Sequence, residues 1–179
     1  MTLTVERMTR PAETIPDLWL AFAPVKRAQV DWLVEKATEL GVARLIPVIT
    51  ERTIVERVKL ERLETIAAEA AEQCGRTVLP EISEPITLPK LLDRQGDGRR
   101  LYFADETGGA AAATAFTPGP AIILTGPEGG FTDAERARVQ AAEGAVAISL
   151  GPRILRAETA ALAAVAAWMT VAGDWKAPR

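Results

Sequence analysis

Residues 121–132, Ala121-Ile122-Ile123-Leu124-Thr125-Gly126-Pro127-Glu128-Gly129-Gly130-Phe131-Thr132, decide the reading of the fold. Ala121 to Thr125 is a compact apolar run, which suits a strand buried on both faces. Three glycines then fall within five residues, 126–130, and mark a turn. Thr132 opens a helix, because a hydroxyl followed three residues later by Glu135 is the capping-box pattern. The order recurs downstream: Ala145 to Leu150 reads as a strand, a glycine-proline loop follows, and an alanine-rich helix runs from about Ala157 to Ala172 before Gly173.

Working outward, helices are expected over about Arg27 to Leu40 and Leu60 to Cys74, closed by Gly41 and Gly75. Ala43 to Ile49, Thr77 to Ile82 and Arg99 to Ala104 read as strands, with a short helix around Leu88 to Leu92. Asp105 to Pro120 reads as a loop holding at most a short helix. Strands alternating with helices at these spacings imply an α/β domain with a mostly parallel sheet. The first clear element is the helix at Arg27. Residues 1–16 are polar, lack periodicity and read as a linker, leaving 17–179 as the folded domain.

The composition narrows the chemistry. The 179 residues contain no histidine, which removes the Ser-His-Asp triad, the HExxH zinc helix and an imidazole base together. One cysteine, Cys74, excludes an internal disulfide and a multi-thiolate zinc site, so no metal is expected. Cys74 falls on the apolar face of its helix and reads as buried and structural. The net charge of −3 does not by itself announce a nucleic-acid binder. Basic residues still gather locally, at Lys26 and Arg27, Arg52, Arg57 to Arg62, Arg99 and Arg100, and Arg153 and Arg156, as ordinary solvated faces also do. Neither a membrane span nor a signal-peptide core is present in the sequence, and a cytoplasmic location is expected.

Two loops carry the candidate chemistry. One is Leu124 to Thr132; the other is Leu150-Gly151-Pro152-Arg153-Ile154-Leu155-Arg156-Ala157-Glu158. Both leave the carboxyl end of a strand, where ligands sit in open parallel sheets, so both are expected to face one crevice. Neither is a phosphate loop, because no Gly-Lys-Ser/Thr or GxGxxG pattern is present there.

LTGPEGGFT and LGPRILRAETAAL closely resemble the C-terminal signatures of the RsmE family of the SPOUT superfamily. EKATELGV (35–42), ITERT (49–53) and EQCGR (72–76) match the same family in the same order. The resemblance implies helices on both faces of the sheet and a C-terminal trefoil knot that forms a pocket for S-adenosylmethionine. It implies a homodimer, a substrate in small-subunit ribosomal RNA or the assembled 30S subunit, and methylation of uridine N3. Family members ordinarily carry a small PUA-like β-barrel before this domain, so residues 1–16 are expected to be a linker or the remnant of one.

On this reading the cofactor lies against Leu124, Thr125, Gly126, Gly129 and Gly130 of the first loop and Leu150, Gly151, Ile154 and Leu155 of the second. Uridine N3 carries a proton that must leave, so Glu158 and Glu128 are candidate bases and Arg156 or Arg52 a candidate stabiliser of the anion. Arg52, Arg76 and Arg153 are assigned to RNA contact. The alanine-rich last helix is apolar on nearly every face and is expected to pack half on the sheet and half on a second subunit. Two alternatives stand beside this: a related SPOUT enzyme acting on another base or a ribose, and a catalytically silent dimeric RNA-binding module.

Overall fold

The chain, seen in a computed structural model, is described over residues 6–55, 57–93 and 98–176. In chain order it forms β1 (Leu18–Phe22), α1 (Arg27–Glu39), β2 (Arg44–Ile49), α2 (Leu60–Cys74), β3 (Glu81–Ile82), β4 (Ile86–Thr87) and α3 (Leu88–Asp93). Then come β5 (Arg100–Ala104), β6 (Ala110–Ala111), α4 (Ala112–Ala115), β7 (Ala121–Thr125), α5 (Asp133–Gln140), β8 (Ala145–Ser149) and α6 (Ala157–Val171). The sheet runs β3-β2-β1-β7-β5-β8-β6, with β4 also beside β2. Every strand pairing among the described residues is parallel.

The two-residue period of the strands sorts their side chains into two cores. Leu18, Leu20, Phe22, Leu45, Tyr102, Ile123 and Ile148 face α1, α2, α4 and α6. Ala21, Ile46, Val48, Leu101, Phe103, Ile122 and Leu124 face Leu88 and Leu91 of α3, Phe131, and Val139 of α5. Helices thus cover both faces, as a parallel sheet requires.

β1 departs from the sequence reading, which placed its first element at Arg27. It sits in the interior of the sheet, paired with both β2 and β7. Its five residues, LWLAF, are too short for an apolar run to declare helix or strand. Its entry is pinned by Arg99, which donates to both carboxylate oxygens of Asp17 at 2.8 and 2.7 Å and lies 3.7 Å over the Trp19 ring.

The expected strand over Thr77 to Ile82 shrinks to Glu81–Ile82. The amides of Thr77 and Val78 donate to Glu13 Oε1 at 2.8 and 3.2 Å instead of to a neighbouring strand. The same contacts dock the polar N-terminal segment, which has no helix or strand from residue 6 to 16. Residues 1–5 of the expected linker and 177–179 of the expected domain lie outside the described residues.

Two further residues sit differently from the sequence reading. Cys74 is exposed, because it occupies the last position of α2, beyond the turn that packs. Arg76 makes no approach to the strand-end loops. Its side chain is 4% exposed and donates to the carbonyls of Thr38 at 2.7 Å and Val42 at 2.8 Å, locking the turn between α1 and β2. Burial pushes its guanidinium below the ordinary arginine value. Both terminal nitrogens are thus committed to the fold, and the structure places Arg76 away from the strand-end loops.

Candidate active site

β5, β7 and β8 are neighbours in the sheet and end on the same edge, so the loops leaving them must converge. They enclose a cleft of about 600 Å³ lined by residues 104–108, by most of 125–131 and by 148–157, with Arg136 and Ala160. That size is ordinary for a small-molecule site.

The middle loop is built as its sequence predicts. Thr132 Oγ1 accepts from the Glu135 amide at 3.2 Å, and Glu135 Oε2 accepts from the Thr132 amide at 3.0 Å, a complete capping box. The Glu135 carboxylate also accepts from the Glu51 amide at 2.8 Å, tying this loop to the end of β2. The Gly130 amide closes the turn on the Pro127 carbonyl at 2.9 Å.

Gly130 is the glycine that the turn requires. Its φ is +68°, and a Cβ there would collide with the Glu106 carboxylate across the cleft. Gly129 is a different case: it does not line the cleft, and a Cβ would meet only Arg52 at 3.4 Å, ordinary contact. Its carbonyl accepts from Arg52 Nη1 at 2.6 Å. Gly130→Val should therefore strain the backbone, displace Glu106 and weaken cofactor binding at least tenfold, whereas Gly129→Val should change it little. Titration calorimetry of both variants checks this; equal losses would refute the distinction.

Of the other residues expected at the cofactor, Thr125, Gly126, Leu150, Gly151, Ile154 and Leu155 line the cleft. Leu124 does not. It points to the opposite face, fully buried with the α3 and α5 core, because its neighbour Thr125 takes the register that faces the cleft. Ile154 is 86% exposed at the rim, and Leu155 is half-buried.

Among the charged candidates, Glu128, Arg153 and Arg156 line the cleft and are exposed. Arg156 is the cap residue of α6, and its side chain makes no capping bond, so the first amides of that helix lack a side-chain acceptor from it. Ala157 and Ala160 line the cleft, which brings the positive end of α6 to its wall. Glu158 is not part of that wall. It is buried on the α6 face that carries Ala161, Leu162 and Val165, with Oε2 lacking a hydrogen-bond partner among the described residues. At two residues from Arg156, helical geometry turns it away from the crevice. The structure does not bring Glu158, one of the two candidate bases, to the cleft.

The third loop, 105–108, was missed, although it shows the same signal: a strand, β5, running into a glycine pair, Gly108-Gly109. Asp105 organises it. Its carboxylate is 1% exposed, and Oδ1 accepts from the Thr107 amide at 3.0 Å, Thr107 Oγ1 at 2.8 Å and Arg136 Nε at 3.1 Å. Arg136 also reaches Asp133 at 3.1 Å and lies 3.7 Å from Glu106. One wall of the cleft is therefore acidic, through Glu106 and Glu128, and another is positive, through Arg153, Arg156 and the start of α6.

A parallel sheet with a strand-end cleft built from these loops defines a class, and the RNA methyltransferase domain model matches residues 12–169. The chain is 33% identical to ribosomal RNA small subunit methyltransferase E of Bacillus subtilis, covering 92% of this chain and 70% of that protein. The protein of the same name from Synechocystis is 36% identical, covering 82% of this chain and 51% of its own length. The crystal structure of that methyltransferase from Neisseria gonorrhoeae, bound to S-adenosyl methionine, superposes with a TM-score of 0.82 at 34% identity, over 89% of this chain and 68% of that one. The chain belongs to the ribosomal RNA small subunit methyltransferase E family.

Proposed function

We propose that this chain transfers a methyl group from S-adenosylmethionine to N3 of a uridine in small-subunit ribosomal RNA. The observation that carries the reading is the convergence of the LTGPEGGFT and LGPRILRAE loops on one cleft, in a chain of this family. The cleft suits the cofactor's chemistry. Its sulfonium and ammonium groups are cations that the Glu106 and Glu128 wall would favour, and its carboxylate is an anion for the start of α6. A turn that excludes a Cβ at Gly130 leaves backbone open to a ligand.

S-adenosylmethionine supplies, when bound, a methyl carbon already electrophilic enough to need no activation. The protein's work is to position the base and to favour its anion. The N3–carbon bond forms as the carbon–sulfur bond breaks, and the N3 proton passes to Glu128 or to water. Arg156 faces the negative charge that spreads onto the base carbonyls. Arg52 and Arg153 contact the RNA backbone from the rim.

The same reading carries a C-terminal trefoil knot, a homodimer and a cytoplasmic location. The knot is supported by the course of the chain after β8, which passes the loops after β5 and β7 at the cleft before α6 packs back on β1, β5 and β7. The dimer is supported by exposed Ile154 at the cleft rim and by the half-buried alanines Ala163, Ala166 and Ala167 along α6. Among the described residues no helix is long and apolar enough to cross a membrane.

Nucleoside mass analysis of small-subunit RNA, from cells with and without the protein, tests the function. A base-methylated uridine should disappear with the gene and return on incubation with protein and cofactor. A product methylated on the ribose would sink the N3 assignment.

A further inference from the structure

A second hollow, of about 140 Å³, opens beside the cleft, between the turn from β1 to α1 and the segment that enters α2. Its floor is apolar: Val25, Val30, Val55, Val58 and Leu63. Its rim is cationic, with Arg27, Arg57, Lys59 and Arg62. Arg62 is committed to the fold, because Nε donates to Asp31 Oδ1 at 2.9 Å and Nη2 to Oδ2 at 2.5 Å, which holds Asp31 below the usual carboxylate range. Among the described residues that line the hollow Asp31 is the one acid, and Arg27, Arg57 and Lys59 outnumber it at the rim. All three are exposed.

The hollow and the cleft flank the ends of two paired strands, β1 and β7. The Ala23 amide donates to the Thr125 carbonyl at 3.0 Å, and Thr125 lines the cleft while Pro24 and Val25 line the hollow. Arg52 holds the Gly129 carbonyl of the cleft loop, and Val55, three residues on, is part of the hollow's floor. Three residues span at most roughly 11 Å. The stretch between them carries Ile54, which is 90% exposed.

We propose that this hollow seats one unstacked nucleotide of the RNA strand next to the uridine being methylated. Its base lies on the valine floor, and its phosphates meet Arg27, Arg57 and Lys59. An apolar cavity of about 150 Å³ holds a benzene ring, so a site of this size suits a single six-membered base. Recognition of single-stranded RNA by an apolar platform beside a cationic track is the physical pattern for such binding. The net charge of −3 does not oppose it, because the cations are concentrated where the strand must pass.

The proposal rests on the function above, and the test separates the two. The substrate is 30S subunits from cells lacking the enzyme. Arg57→Glu combined with Lys59→Glu should raise KM for the subunits at least tenfold, and lower the salt dependence of kcat/KM by about two phosphate contacts. Cofactor affinity by calorimetry should stay unchanged and kcat should stay within about twofold, since neither residue touches the cleft. Photo-cross-links from thiouridine-substituted RNA should map to Val55–Lys59. If the native chain methylates 30S subunits and the double variant does so with the same KM and salt dependence, this site is wrong and the function stands. If the double variant keeps its KM but loses subunit association in sedimentation, the face belongs to a second copy of the chain, which also overturns the proposal. If the native chain leaves the RNA unmethylated, the function fails and takes this inference with it.

Discussion

Asp105→Ala is expected to lower the melting temperature by roughly 6–12 °C, the equivalent of about 3 kcal/mol in a chain of this length. The carboxylate is 1% exposed and Arg136 is 15% exposed, so the pair is shielded from water. Removing the acid strands most of a buried guanidinium and also releases the two Thr107 donors. Asp133 and Glu106 remain near Arg136, which keeps the loss at the lower end of what breaking a buried pair costs. Because residues 105–108 form one side of the cleft, affinity for S-adenosylmethionine should fall at least tenfold in the same variant. Asp105→Asn keeps the shape and should recover part of the stability. A melting temperature within 2 °C of the native value would show that loop 105–108 does not depend on the pair.

Arg156→Ala should lower kcat by roughly 10²-fold, the cost of removing one group that meets developing negative charge. The effect belongs in kcat because the charge exists on the base only as N3 loses its proton. The pH profile separates this from loss of RNA affinity. With no histidine in the chain, no imidazole titrates near neutrality, and the rate should rise with pH as substrate N3 ionises. In Arg156→Ala the same rise should move to higher pH, since the anion has lost its counter-charge. Glu158→Gln is the contrast. Glu158 is buried off the cleft, and its substitution should leave kcat and the pH profile close to native. A hundredfold loss in Glu158→Gln with a flattened pH profile would restore it as the base and overturn the placement argued from the fold.

The α/β class, the parallel sheet and two of the three cleft loops were legible because they are local patterns. The Thr132 and Glu135 box, and the glycines after β7 and β8, act within a few residues of chain, and the structure builds them as read. β1 was missed for the converse reason. LWLAF carries no period, and only its place between β2 and β7 makes it an interior strand. Loop 105–108 carried the strand-to-glycine signal but stood in a stretch whose alanines and prolines read as plain loop.

What residue types and their order determine here is which elements form, that they stack as a parallel sheet, and that the chemistry must proceed without an imidazole. Which charges face the cleft was decided by tertiary structure alone. Arg76 and Arg156 look alike in sequence, yet one spends its donors on the carbonyls of Thr38 and Val42 while the other stands on the cleft wall. Glu128 and Glu158 divide in the same way, one exposed in the cleft and the other turned into the α6 packing face. The physical reason is that spacing along a helix or strand sets a direction only relative to its own element. Whether that direction meets solvent, a carbonyl or a cleft depends on elements packed against it from distant parts of the chain.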